Sequence, residues 1–430
     1  MIPRPPETAP TSAAPARPPS RAVAIAVVGA GFFASGLAWP GLMGRLPIGL
    51  MLKNQLGLPP EDVATFWAVA TLPWYLKPLA GLIADAYPLL GTRRRGYLLA
   101  GAATAAILWM VMALAPRAYR PLLAAATAIN VPLVFCSTAL GGVLVELGQR
   151  YDATGRLSSV RFVAVGAMSL VAGPLGGWLA SRPFGWTAAA GALVLLAFTA
   201  LAARLYPEPR QARAREGAAT VLAAARGHLD AIARSRAMWA AGGLIFLVYL
   251  APGFQTPLLY HQQDTLGFDP SYMGTLQLIG GAAAIAGALG YGLVCRRVSL
   301  RTSLIGGIAV NAAVTLLYLG YDSRRAAAII TALGALFGTM ATLPLFDLAA
   351  RAAPRGAEGL GYALLLGIES LAMFAVSEKL GAALYGGLHA GWRPLVWINA
   401  ASTAAVLLFV PFLPRSLLTK PEQAPGSPPA

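Results

Sequence analysis

Runs of roughly twenty apolar residues recur between residues 23 and 414, separated by short stretches that carry most of the charge. At 1.5 Å per residue, each run is long enough to cross the ~30 Å hydrocarbon core of a bilayer as a helix. The pattern predicts twelve spans, over 23–50, 61–87, 96–115, 119–148, 157–181, 184–204, 237–262, 270–294, 300–320, 325–352, 357–384 and 393–414. A polar stretch, 205–236, parts the sixth from the seventh. Within it, EGAATVLAAARGHLDAIARSRAM has helical spacing and predicts a surface helix on the membrane face. The ends, 1–21 and 415–430, are rich in Pro, Ala and Ser and predict disordered tails. No short apolar stretch with a small-residue cleavage site follows the first tail, so no signal peptide is expected.

Composition agrees with that pattern. Of 430 residues, 57% are hydrophobic and only 12% charged, where a soluble domain carries about a quarter. The solvent for most of the chain is therefore a lipid bilayer. The net charge of +16 does not point to nucleic acid, because the arginines are scattered through loops rather than along one face. Cys136 and Cys295 are far apart and, with three histidines in all, give no metal cluster, so neither a metal nor a cofactor is expected. No G-x-x-x-x-G-K-[ST] loop occurs, which excludes direct drive by ATP. With the N-terminus placed inside, the inner segments hold 23 of the 33 Lys and Arg and the outer loops seven. The positive-inside rule then puts both termini in the cytoplasm, of a multi-pass protein in the cytoplasmic (inner) membrane. A monomer is expected.

The chain also repeats itself. WPGL at Trp39–Leu42 is echoed by APGF at Ala251–Phe254, and QLGLPP at Gln55–Pro60 by TLGFDP at Thr265–Pro270. Gly81 has a counterpart in Gly292, each followed by basic residues, Arg93 to Arg95 and Arg296 to Arg297. The link ELGQRYDATGRLSS between spans four and five is answered by LAARAAPRGAEGLGYA between ten and eleven. Four matches in one order at nearly one offset indicate a duplicated half. The predicted fold is an all-α polytopic membrane protein, twelve transmembrane helices in two six-helix halves, 22–204 and 237–414, joined by the linker 205–236. This is the layout of a major facilitator transporter, with a small-molecule cavity between the halves at mid-membrane. An acidic or histidine cluster at one face, expected of a polytopic enzyme, is missing from the sequence, so no enzyme activity is expected.

The stretch LPWYLKPLAGLIADAYPLLGTRRRGY, residues 72–97, closely resembles the signature of the folate–biopterin transporter family within the major facilitator superfamily. APGFQTPLLYHQQDTLGFDPSYMGTL resembles that family's seventh helix and the loop after it. LAARAAPRGAEGLGYALLLGIES resembles its tenth-to-eleventh connection, with Pro354, Gly356, Glu358 and Gly359 matching. Gly141 or Gly142 stands where members often carry an acid, while Glu146 is kept. The resemblance implies secondary active transport of a reduced or oxidised folate- or pterin-like anion by alternating access. Proton symport is the simplest coupling, since an acid such as Glu369 can titrate when buried. Another solute, a sugar, a peptide-like compound or a drug, is the alternative; a non-transporting membrane scaffold or enzyme is a remoter one.

An ionisable group within a span costs roughly 2.5–3.5 kcal/mol on insertion scales, so each one needs a partner or a task. The spans hold Arg45, Lys77, Asp347, Glu369, Glu378 and Lys379. Lys77, Gly81 and Asp85 are spaced four apart and share a helix face. Lys77 is either a cation for an anionic substrate or the partner of an internal acid, and Trp74, one turn away, is placed to stack on a flat ring. The family likeness implies that Gly81, Asp85, Gly91 and Arg93 to Arg95 hold the cytoplasmic side closed, although topology alone also accounts for arginines there. Glu369 is the deepest acid of the second half and the candidate for proton coupling. Asp347 is a second candidate, or forms a salt bridge with Arg351 at i+4. Glu378 and Lys379 read as rim residues near the outer end of span eleven. Arg45, in an unwound GRLPIG run, is a further substrate candidate. Asn130, beside a proline, either lines the cavity or satisfies freed backbone groups.

Overall fold

The structure is a computed structural model that describes residues 20–150, 154–208, 217–295, 297–354, 357–388, 390–414 and 417. Most of the two tails and part of the linker, with Gly356 of the family-like connection, lie outside the described residues.

The first half comprises α1 (Arg21–Leu37), α2 (Arg45–Leu50), α3 (Pro60–Ala70), α4 (Leu72–Tyr75), α5 (Lys77–Ala86), α6 (Arg95–Leu114), α7 (Tyr119–Arg150), α8 (Thr154–Ala180) and α9 (Phe184–Leu205). The linker contributes α10 (Gly217–Arg234), which packs on α5. The second half comprises α11 (Arg236–Tyr249), α12 (Gln255–Tyr260), α13 (Pro270–Val294), α14 (Leu300–Thr315), α15 (Arg324–Ala352), α16 (Glu358–Ser370), α17 (Glu378–Ala382) and α18 (Trp392–Ala405). Among the described residues nine segments are long and apolar enough to cross a membrane alone, or ten if α11 counts with the helix before it, bent by 76°. The expected first, second and seventh spans fall short because each is broken.

Proline explains the breaks. A proline lacks the N–H that continues the helix and pushes the residue before it out of helical geometry. Pro40 and Pro252 stand in the interruptions between α1 and α2 and between α11 and α12, and Pro73 and Pro78 divide the second span into α3, α4 and α5. Carbonyls freed in this way need other donors when no water is near. Trp109 Nε1 donates to Ala38 O at 2.9 Å, Asn399 Nδ2 to Pro252 O at 2.7 Å, and Asn130 Nδ2 to Ala70 O at 2.9 Å.

The sequence repeat is repeated in backbone geometry. α2 and α12 have six residues each and run into π-helical turns, Met51–Gln55 and His261–Thr265. Gly57 and Gly267 follow with φ of 64° and 62°, left-handed values that glycine adopts without a Cβ clash. Pro60 and Pro270 then open the next helices. Every one of these pairs is 210 residues apart.

In lipid, close backbone packing rather than water exclusion holds helices together. α8 and α13 show this across the two halves. The Gly177 site faces Pro270 O and Gly274, and the Gly173 site faces Gly274 O and Leu278 N, so neither position has room for a Cβ. The contact continues through Ser169–Gly281 to Gly166–Ile285. On the same side Arg45 Nη2 meets Glu378, Lys53 Nζ meets Asp264, and Tyr260 donates to Leu58 O. These contacts tie the halves together on the face that carries residues 53–60 and 264–270, called here the far face. The opposite face carries Arg93 to Arg95 and is called the basic face.

Candidate functional site

Residues on three broken helices form layers between the halves. From the far face inward, the second span presents Trp67, then Trp74, then Lys77; the seven residues from Trp67 to Trp74 correspond to ~10 Å of helix. The eleventh presents Glu378, then Phe374, then Glu369. The first presents Arg45, then Trp39.

The innermost layer is charged. Lys77 Nζ donates to Ser137 Oγ at 3.0 Å and stands over the Trp74 ring, 5.3 Å from its centroid. Arg161, on α8, lies within electrostatic range of Lys77 and of Tyr362, and its guanidinium covers the Phe32 ring at 5.1 Å. From the second half, Glu369 is coupled to the Tyr249 hydroxyl, which also reaches Thr342. α16 brings Glu369 toward Lys77 because Gly367 lets it approach the break in span two, its Cβ site 3.3 Å from Tyr75 O. Tyr362 lies within electrostatic range of both Arg161 and Glu369, so this layer carries two cations of the first half and one carboxylate of the second.

An aromatic layer lies above it. Trp39 meets Trp74 edge-on at 5.8 Å and Phe374 of the second half at 6.0 Å. Asn130 fixes both indoles: its Oδ1 accepts from Trp39 Nε1 at 2.8 Å and Trp74 Nε1 at 2.7 Å. Its Nδ2 donates to Ala70 O and to Ala126 O, both at 2.9 Å. Asn130 is 1% exposed, and its amide groups are engaged within the protein; it places the rings and closes the proline break.

The outer layer contains a cavity of about 250 Å³. Arg45 lines it with its guanidinium over the Trp67 ring, 4.9 Å from the centroid. Glu378 is 1% exposed rather than at the rim, whereas its neighbour Lys379 is exposed. The π-helical turn Leu371–Ser377 sets the rotation of Glu378 toward the first half. Its Oε2 accepts from Arg45 Nη2 at 3.5 Å, from Thr256 N at 3.1 Å and from Thr256 Oγ1 at 2.9 Å.

The basic-face cluster lies apart from these layers. The turn before α6 uses Leu90 at φ 54° and Gly91 at φ 74°. The Glu208 carboxylate then accepts the backbone N–H groups of Arg93 at 2.9 Å, Arg94 at 3.0 Å and Arg95 at 2.6 Å. An anion there satisfies the open donors and positive end of α6. Arg94 Nε pairs with Glu146 Oε1 at 3.0 Å, and Arg95 Nη2 donates to Ala203 O at 2.8 Å. The Arg94 guanidinium fills the space over Gly142, where a Cβ would overlap it. Burial, then the Glu208 and Glu146 carboxylates, push the nearby Tyr206 hydroxyl above its ordinary value. Gly81 faces Thr138 at 3.5 Å. The backbone of Asp85 lies in the last turn of α5, and its side chain lies outside the described residues. Asp347 forms a two-pronged pair with Arg351, at 2.9 and 3.3 Å, half-exposed near Tyr291. Among the described residues no group of three or more His, Cys, Asp or Glu could hold a metal ion.

Residues 40–391 match the BT1 family model. The chain belongs to the BT1 family. A "Folate-biopterin transporter" of Synechocystis sp. is 27% identical over 406 residues, covering 86% of this chain and 78% of its own. "Probable folate-biopterin transporter 4" of Arabidopsis thaliana is 22% identical, covering 88% and 92%. "Folate transporter 2" of Plasmodium falciparum is 24% identical, covering 76% and 74%. In fold, this BT1 protein is similar to a D-xylose–proton symporter, with a TM-score of 0.70 at 16% identity over 92% of this chain and 98% of that one. It is also similar to a POT family transporter, with a TM-score of 0.71 at 13% identity over 92% and 96%. The protein is a multi-pass membrane transporter of the major facilitator fold, it takes a small-molecule substrate, and it is not an enzyme.

Sequence reasoning missed four participants. Arg161 counts with the basic residues of a loop, yet the long α8 carries it to Lys77. Glu208 sits in a Pro-rich linker start with nothing to mark it. Tyr249 and Tyr362 look like packing aromatics; their positions opposite Glu369 and Arg161 come only from the helix arrangement.

Proposed function

We propose that this BT1 protein carries a folate- or pterin-like anion across a cytoplasmic membrane by alternating access, as a monomer coupled to protons. The observation that carries the reading is Lys77 over the Trp74 ring, with Arg161 of a second helix within electrostatic range of it. A ligand with a flat ring and a carboxylate-bearing tail matches a ring next to two cations. A buried cation is costly alone, and a bound carboxylate offsets that cost with a charge-assisted bond. The names of the Synechocystis and Plasmodium relatives support the same substrate class.

Glu369 is the proton carrier in this reading, with the Tyr249 hydroxyl as its hydrogen-bond partner and Thr342 bonded to that hydroxyl in turn; Asp347 is already held by Arg351. The contacts among Arg45, Glu378, Lys53, Asp264 and the α8–α13 glycines shut the far face in one half of the cycle. Gly81, Asp85, Gly91 and Arg93 to Arg95 serve the other gate, at the cytoplasmic face on the charge count of the loops. The direct test is uptake of labelled folate into proteoliposomes. Saturable, pH-gradient-driven uptake supports the reading; no uptake of any folate or pterin in either membrane orientation rejects it.

A further inference from the structure

The outer cavity differs chemically from the compartment around Lys77. Arg45 is its one ionisable lining residue apart from the Tyr318 phenol, and that charge is already balanced by Glu378 at 3.5 Å. The cavity is therefore neutral in sum, although the buried Arg45 Nη1 has no hydrogen-bond partner among the described residues. Its polar lining comprises the Gln255, Gln262 and Gln277 amides and the Thr256, Thr331 and Tyr318 hydroxyls. Gln255 and Gln277 are exposed, line the cavity from α12 and α13, and have no side-chain hydrogen-bond partner among the described residues. Gln262 donates its amide N–H to the Tyr321 hydroxyl at 2.7 Å, which turns its remaining acceptor capacity to the cavity. Aromatic rings complete it: Tyr318, which stacks on Phe254 at 5.4 Å and on Tyr321 at 5.6 Å, and Trp67, which is held under Arg45.

A primary amide presents one acceptor beside two donors in a plane, and pairs side by side with a heterocycle edge of alternating donors and acceptors. Aromatic walls favour a flat ligand. At about 250 Å³ the cavity is below the roughly 300–1,000 Å³ of drug-sized sites, so it suits one ring system and not a long conjugate. The Trp39–Trp74–Phe374 layer divides it from Lys77 and Arg161.

We propose that this cavity is a second ligand station, specific for an uncharged, ring-sized heterocycle with an amino–keto edge, and distinct from the cationic compartment that takes the carboxylates. The proposal rests on the folate–pterin reading above and adds a division of labour within it. The ring binds by its edge to Gln255 and Gln277, between Tyr318 and Trp67, whether or not an acid tail is present.

The test uses two probes on the purified full-length protein, 6-hydroxymethylpterin for the ring and p-aminobenzoyl-glutamate for the acid. Gln277→Leu and, separately, Gln255→Leu are expected to weaken the pterin about tenfold, as for one or two lost hydrogen bonds, and to leave the acid probe unchanged. Lys77→Gln is expected to do the reverse. Saturating acid probe is expected to leave the pterin dissociation constant within about twofold. Retained pterin binding in both glutamine variants, equal weakening of both probes, or one-for-one competition between them overturns the station. Displacement of the pterin by a neutral sugar overturns the heterocycle assignment. The acid probe and Gln255→Leu control for misfolding of Gln277→Leu. A wild type that binds neither probe rejects the folate–pterin reading itself, whereas pterin binding untouched by the glutamines rejects the second station alone.

Discussion

Arg45 of the first half and Glu378 of the second meet at 3.5 Å, with Glu378 also accepting two hydrogen bonds from Thr256. The pair crosses the boundary between the halves, so whatever opens the far face must break it. Removing one partner of a buried pair leaves an uncompensated charge. Glu378→Gln is expected to loosen the far face. In a Cys295→Ser background, a cysteine placed at Gln277 is then labelled several-fold faster by a membrane-impermeant maleimide added from the far side. Equal labelling rates with and without Glu378→Gln would mean the pair does not hold that side shut.

On the opposite face, Glu208 caps the start of α6 by accepting three successive N–H groups. A carboxylate at a helix N-terminus is worth about 1–2 kcal/mol. Glu208→Ala is expected to speed hydrogen exchange at Arg94 and Arg95 and to lower maximal transport with little change in KM. Exchange at wild-type rates would show that another group caps the helix.

Asn130 is predicted to be structural. Asn130→Leu leaves two indole N–H groups and the Ala70 carbonyl without partners, at about 1–3 kcal/mol for each buried group. A clear fall in melting temperature is expected, with the pH profile of any residual transport unshifted. A variant as stable as wild type that loses only substrate affinity would return Asn130 to the binding site.

The elements legible in the sequence were those set by one-dimensional signals. Apolar run length marked the nine unbroken spans, and the offset of 210 between Leu58 and Phe268 foretold two identical turns. Spans one, two and seven read as continuous in the sequence, whereas they break beside Pro40, Pro73, Pro78 and Pro252, and the GRLPIG run expected to be unwound is helical from Arg45 as α2; Asn130 and Asn399 satisfy the freed carbonyls from distant helices. Lys77 and Glu369 stood out because charge in lipid is expensive. Arg161 did not, since a cation one turn inside a helix end reads as topology. Glu378 reads from the sequence as a rim residue because it is near the end of its span; its burial comes from Arg45 and Thr256 packed against it.

Coupling should reside in Glu369, the acid hydrogen-bonded to Tyr249 in the second half. Glu369→Gln is expected to abolish accumulation driven by an inward-acid pH gradient and to spare exchange of labelled for unlabelled substrate. Unchanged accumulation would move the proton to Asp347, where Asp347→Asn is the next variant.

The central claim is that Lys77 and Arg161 together hold the acidic part of the substrate. The most direct measurement is the dissociation constant of p-aminobenzoyl-glutamate for wild type, Lys77→Gln, Arg161→Gln and the double variant, in detergent at fixed ionic strength. Each single change is predicted to cost about 1–3 kcal/mol, as for hydrogen bonds to charged groups. The double change should cost less than the sum of the two, because neighbouring groups that share a ligand couple. Wild-type affinity in the double variant, with the protein folded, would contradict the account.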